Sequence, residues 1–147
     1  MTTSARKIKA QRPGAGFVVV RKFPDGWKVL GLRFYATYDL PKGGCESKDA
    51  SILDTAIREC EEESSIVIDR DKDMPVGDVN LKLRHLSLFI AITSQDAKIR
   101  KNSQTGLEEH HGLKWLTFEE ASEKMHPYLR PSISWAKEML ESAGVLS

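Results

Sequence analysis

From Arg58 to Glu63 the chain reads R-E-C-E-E-E, which sets four carboxylates, Glu59, Glu61, Glu62 and Glu63, within five positions. Negative charge toward the C-terminal end of a helix is disfavoured by the macrodipole, by about 0.3–1 kcal/mol per charge. Crowded carboxylates also raise one another's pKa unless a cation neutralises them. The chemistry such a cluster suits is the holding of a hard cation through oxygen ligands, Mg²⁺ first and Mn²⁺ as its substitute. At about 100° per residue, Ile52, Leu53, Ala56, Ile57 and Cys60 share one stripe of a helix, with Glu59 and Glu63 at its edge. Spacings of three and four residues bring Glu62 and Glu63 within a turn of Glu59, whereas Glu61 points away as plain solvated surface. Glu59, Glu62 and Glu63 are therefore the candidate metal ligands. Taken alone, such a cluster also reads as an acidic helix face washed by solvent.

The stretch upstream, L-P-K-G-G from Leu40 to Gly44, shifts that balance. Proline fixes φ, and paired glycines let main-chain groups approach a ligand closely. Lys42 adds a cation beside the acidic cluster. A loop of this kind feeding a carboxylate helix suits a metal-chelated polyphosphate. In this combination the segment resembles the signature of the Nudix hydrolases: Gly, five residues, Glu, seven residues, Arg-Glu, a hydrophobe, any residue, Glu-Glu, any residue, Gly and a hydrophobe. Gly43 opens the motif, Arg58 to Glu63 match its centre, and Ile66 supplies the closing hydrophobe.

The chain departs from that pattern in three places. Counting forward from Gly43 meets Asp49 where the family has Glu, while counting back from Arg58 meets Ala50, so one extra residue lies in the loop. The first acid is thus the shorter Asp49. The family's late glycine is Ser65 here, and a left-handed serine would strain the helix exit by about 1 kcal/mol.

The resemblance implies hydrolysis of a nucleoside diphosphate linked to another group, with Mg²⁺ held by Glu59, Glu62 and Glu63. Arg58 would orient the helix carboxylates and Asp49, and backbone carbonyls around Lys42 and Gly43 would complete the coordination. The general base is either Glu59 or a carboxylate from a later loop, with Glu109 the choice there. E-H-x-x-x-x-W from Glu109 to Trp115 and W-L-T-F-E-E-A from Trp115 to Ala121 resemble segments of the asymmetrical diadenosine tetraphosphate hydrolases. P-K-G at Pro41 to Gly43 resembles the dinucleoside polyphosphate branches, which makes Lys42, Gly43 and Gly44 substrate-binding candidates. His110 is a candidate phosphate donor, and Tyr35, Tyr38 and His85 are candidate platforms for adenine. The leading reading is a Mg²⁺-dependent hydrolase cutting diadenosine tetraphosphate into ATP and AMP. Its alternatives are removal of pyrophosphate from the 5′ end of triphosphorylated RNA, and a weakly catalytic Nudix domain that binds a nucleotide.

These residues need elements to position them. Ala15 to Arg21 reads as a buried, β-branched strand, F-P-D-G at Phe23 to Gly26 as a turn, and Trp27 to Leu32 as the hairpin partner. A loop rich in aromatic and basic residues follows, Arg33 to Gly44, and leads to a helix from Ile52 to about Ser64 with Ser51 as N-cap and Asp54 at N3. Val79 to His85 and Leu86 to Thr93 read as strands, Ser94 to Gly112 as a long polar loop, and Lys114 to Leu116 as a short strand. Helices from Thr117 to about Met125 and from Pro131 to about Ser142 complete the chain. The pattern predicts an α/β (α+β) sandwich, a mixed β-sheet flanked by helices, which is also the fold that the Nudix resemblance implies.

Length and composition agree with that scale. The 147 residues suit one domain, residues 13–147, preceded by a basic arm over residues 1–12. A net charge of +1 gives no basis for bulk binding to nucleic acid or membrane. The arm, with basic residues from Arg6 to Arg12, leaves a contact to an RNA 5′ end open. Its sequence has no apolar run of a signal or a membrane span. Cys45 and Cys60 form no metal-thiolate spacing, and a reducing, cytoplasmic setting is expected. The expected partner is a small-molecule nucleotide, and nothing in the sequence sets an oligomeric state.

Overall fold

Strand β1, Gly14–Phe23, is the axis of the fold, and both of its faces are covered. A computed structural model of the chain describes residues 12–101 and 105–146. The expected basic arm lies outside the described residues, apart from Arg12. Seven strands among the described residues join in one mixed sheet: β1, β2 (Gly26–Phe34), β3 (Thr37–Asp39), β4 (Lys42–Gly44), β5 (Leu81–Leu83), β6 (Leu86–Ile92) and β7 (Leu113–Leu116). On one side β1 runs parallel to β6, from Gly14 opposite Leu86 to Val20 opposite Ile92. Otherwise it pairs antiparallel with β4 through its first residues and with β2 through its last. β7 pairs with β2, as does β3, and β5 closes a hairpin with β6.

Side chains alternate across a strand, so β1 feeds two cores. Ala15, Phe17 and Val19 join Leu30, Leu32, Phe89 and Ala91 beneath helix α1, Ile52–Ser64, which contributes Ala56 and Cys60. Val18 and Val20 join Leu88, Ile90 and Leu116 on the other face, under α2 (Phe118–Lys124) and α3 (Arg130–Ser142). The arrangement is the expected mixed sheet flanked by helices. No helix among the described residues is long and apolar enough to cross a membrane.

Helix α1 begins where the sequence places it. The Ser51 hydroxyl accepts from the Asp54 N–H at 3.1 Å and donates to the Asp54 carboxylate at 2.9 Å. It ends at Ser65, whose φ of 66° is left-handed, and the Ser65 hydroxyl donates to the Lys98 carbonyl at 3.0 Å. Thr117 caps α2 through a full capping box with Glu120. Cys60 is fully buried, and burial pushes its thiol up to about 12, which leaves it inert.

Two expectations are corrected. The stretch from Arg33 to Gly44 is not a plain loop, because it contains β3 and β4. The strand expected from Val79 to His85 shrinks to Leu81–Leu83. The β4 pairing depends on a bare backbone: a Cβ at Gly16 would stand 2.4 Å from the Pro41 carbonyl oxygen and 2.5 Å from Lys42 Cβ. That close contact brings the L-P-K-G-G stretch alongside β1 and in front of α1.

Candidate active site

Arg58 organises the mouth of α1. Its Nε donates to Asp49 Oδ1 at 2.9 Å and its Nη2 to Asp49 Oδ2 at 2.8 Å, a two-pronged grip on one carboxylate. Nη2 also reaches the Gly44 carbonyl at 3.0 Å, and Nη1 meets Glu59 at 3.1 Å and Glu62 at 3.3 Å. Asp49 is further held by the Thr55 hydroxyl at 2.7 Å and the Glu46 N–H at 2.9 Å. The extra loop residue is absorbed, and Asp49 fills the position of the first acid. The hydrogen bonds from Arg58 hold the Asp49 carboxyl well below the usual carboxylate range, and the same pairing raises Arg58.

In front of Arg58 lies a cleft of about 500 Å³. Glu59, Glu62 and Glu63 from α1 line it, together with Gly43, Gly44, Glu109 and His110. Glu59 packs against bare backbone, since a Cβ at Gly43 would fall 2.1 Å from its carboxyl carbon. Burial raises the pKa of Glu59, with the charges of Glu62 and Glu109 adding to the effect and Arg58 opposing it. Burial also pushes Glu63 up to about 9, against the pull of the Lys42 N–H, which donates to Glu63 Oε1 at 3.2 Å. Glu62 is the more exposed of the three.

Among the described residues no three acidic or histidine side chains converge on one point; Arg58 is inserted between Glu59 and Glu62. The donor set nevertheless fits a hard divalent ion. It is all carboxylate oxygen, Glu59 and Glu63 are half-buried, and the glycine backbone opposite leaves room for the Glu59 carboxylate.

The cleft also holds Arg12, the last basic residue of the expected arm, and residues that the sequence did not single out. Arg12, Lys48, Arg100 and Lys101 stand around it, and Glu46 joins its acidic side. Arg100 and Lys101 belong to the run K-I-R-K, whose charge density was the one signal on offer. The Arg12 guanidinium lies over Gly44, where a Cβ would come within 2.0 Å of it.

Four candidates, Lys42, Tyr38, Tyr35 and His85, lie elsewhere. Lys42 sends its ammonium to Asp39 Oδ2 at 3.1 Å and lines a separate cavity of about 190 Å³ with Phe34, Tyr38 and Tyr128. Burial lowers the pKa of Lys42, but the charge and hydrogen bond of Asp39 together with the charges of Tyr128 and Glu63 outweigh it, and the net direction is upward. Tyr35 is an exposed, left-handed residue at φ 55°, its ring edge-on to Phe34 at 4.7 Å and to His111 at 4.9 Å. His85 sits in the β5–β6 turn, where its carbonyl accepts from the Gly14 N–H at 3.0 Å and its Nδ1 is buried without a partner among the described residues.

A family model described as the NUDIX domain matches residues 8–136. No curated protein matches the chain by sequence. Among similar solved structures is a C. elegans Ap4A hydrolase binary complex, at 19% identity over 89% of this chain and 98% of that one, with a TM-score of 0.63. A NUDIX hydrolase from Listeria monocytogenes gives 17% identity, coverage of 92% and 98%, and a TM-score of 0.67. The NUDIX domain of Shewanella oneidensis NrtR complexed with ADP ribose gives 20%, 92% of each chain, and 0.65. At such identities these likenesses speak for the fold, while the family match spans most of the chain and includes Gly43, Asp49, Arg58 and the glutamates of α1. The chain therefore belongs to the Nudix family, hydrolases that act on phosphoric anhydride bonds.

Proposed function

We propose that the protein is a Mg²⁺-dependent pyrophosphohydrolase of dinucleoside polyphosphates that cuts diadenosine tetraphosphate into ATP and AMP. The observation that carries this reading is the charge distribution of the cleft, with carboxylates on the α1 wall and Arg12, Lys48, Arg100 and Lys101 around it. A chain of several phosphates needs a cation-binding wall beside the reacting phosphorus and positive side chains along its remaining length. The name of the C. elegans neighbour, an Ap4A hydrolase, and the E-H-x-x-x-x-W segment support the same choice. The ADP ribose in the NrtR domain supports a nucleotide as ligand.

Glu59, Glu62 and Glu63 would hold the metal. A divalent ion bound there supplies charge neutralisation for the phosphoryl oxygens as negative charge builds on them. Glu109 takes the proton of the attacking water on a carboxylate oxygen, with Glu59 as the rival base. The water oxygen bonds to phosphorus, the bond from that phosphorus to the bridging oxygen breaks, and the electron pair leaves on that oxygen. His110 hydrogen-bonds a phosphate oxygen, and the main chain at Gly43 and Gly44 lies beside it.

Incubation with diadenosine tetraphosphate and Mg²⁺, followed by chromatography, tests the reading. ATP and AMP in equal amounts, absent with Glu59→Gln, are expected. Pyrophosphate release from 5′-triphosphorylated RNA without dinucleotide cleavage would move the assignment to RNA processing, and silence on both would leave a nucleotide-binding domain.

A further inference from the structure

A single carboxylate oxygen behind the cleft ties two of its parts together. Asp39 Oδ2 receives Lys42 Nζ at 3.1 Å and pairs with His110 Nε2 at 3.2 Å, while Oδ1 accepts from the Leu40 N–H at 2.9 Å. Burial pushes the Asp39 carboxyl up, but the bonds from His110 and Lys42 outweigh it and keep it ionised. An ionised carboxylate only accepts, so the His110 Nε2 carries the hydrogen it donates to Asp39.

Asp39 is itself firmly placed. Its strand β3 pairs with β2, and on the far side Tyr38 bridges to Met125 and accepts from the His126 N–H at 2.8 Å. The segment it holds is the opposite case. Residues 105–109 and 111 are exposed, and His110, at 6%, is the buried one among them. The His110 ring packs edge-on against Phe34 at 6.3 Å, and the neighbouring His111 N–H donates to the Arg33 carbonyl at 2.8 Å. Glu109, the adjacent residue, lines the cleft. On its other side, Asp39 holds Lys42, whose backbone N–H meets Glu63.

We propose that Asp39 is a positioning residue of the hydrolysis: through His110 it fixes the loop segment that carries Glu109. The proposal rests on the reading of Glu109 as the base. A base must lie within hydrogen-bond reach of the proton it removes. An exposed loop does not hold such a distance without an anchor, and a displacement of about 1 Å costs about a hundredfold in rate. Asp39 lines the separate cavity on the Lys42 side rather than the cleft, so it acts through the residues it holds.

The test is a double-mutant cycle of parent, Asp39→Ala, Glu109→Gln and the double variant. Each is assayed with Mg²⁺ on whichever of diadenosine tetraphosphate and 5′-triphosphorylated RNA the parent cleaves, and Mn²⁺ binding and melting curves report on fold and metal wall. Glu109→Gln is expected to lower kcat by at least about a hundredfold. Asp39→Ala is expected to lower kcat by about tenfold or more, with KM within about threefold of the parent. The double variant should be no slower than Glu109→Gln, because both losses act through one group. Losses that multiply, or an Asp39→Ala kcat within about threefold of the parent, would overturn the positioning role while leaving Glu109 as base. A Glu109→Gln kcat within about threefold of the parent would remove the base reading, and this proposal with it. If Asp39→Ala does not fold, Asp39→Asn, which keeps the shape and one accepting oxygen, takes its place under the same criteria.

Discussion

Asp49 stands one residue out of register with the signature, yet Arg58 grips it with two nitrogens at 2.8 and 2.9 Å. A surface loop absorbs an added residue at small entropic cost, and the shorter side chain reaches because Thr55 and the Glu46 N–H hold it from behind. Asp49→Asn should therefore cost about 1–3 kcal/mol at neutral pH, measured by denaturant unfolding, since a half-buried cation is left less well paired. A carboxyl held below its ordinary value stabilises the fold above the unfolded pKa and loses that contribution as pH falls. The difference between parent and variant should accordingly shrink as pH drops below 3.8, the ordinary value for Asp. Glu63→Gln removes a candidate ligand on the buried side of the wall, and turnover should fall by at least about a hundredfold with weaker Mn²⁺ binding. These residues were legible because their spacing along one helix is local. The Asp39–His110 pair was not, because its members are 71 residues apart and no periodicity connects them.

At the scale of elements, α1 was readable from end to end: a serine cap, an apolar stripe, and a serine where the family has glycine. Ser65 is left-handed, which costs a non-glycine residue about 1–2 kcal/mol, and its hydroxyl bond to Lys98 returns about 0.5–1.5 kcal/mol. Thermal melts of two variants separate those terms. Ser65→Ala keeps the strain, loses the bond, and should destabilise by about 1 kcal/mol; Ser65→Gly loses both and should lie close to the parent. Strands β3 and β4 escaped the sequence reading for a physical reason. T-Y-D and K-G-G carry no alternating apolar pattern, and each is a strand only because β2 or β1 lies beside it.

For the molecule as a whole, the proposed metal wall should make stability depend on metal and pH together. Glu63 is raised from 4.5 to about 9. A carboxyl raised on folding favours the folded state while it keeps its proton, and that contribution is lost as pH rises toward the folded value. With chelator present, the melting temperature should therefore fall between pH 4.5 and about 9 by this contribution. Mg²⁺ or Mn²⁺ at a hundred times its Kd should offset the fall by about 2.7 kcal/mol. A melting temperature equally flat in pH with and without metal would disprove the coupling. Composition and strand pattern foretold the sandwich, but they carried no sign of which strands would flank the wall, because that order is set by pairing between distant segments.

The parallel pairing of β1 with β6 joins Gly14 to Leu86, residues 72 positions apart (86 − 14). Contacts of such long range must overcome loop closure before they return any energy, so folding is slow relative to helical chains of this size. During synthesis α1 emerges after β1 and β2, on which it packs, but well before β6, which joins β1 in the same core. The acidic wall is thus backed by the complete core only once β6 has joined β1, and a chain interrupted before Leu86 lacks both that strand and the segment with Glu109.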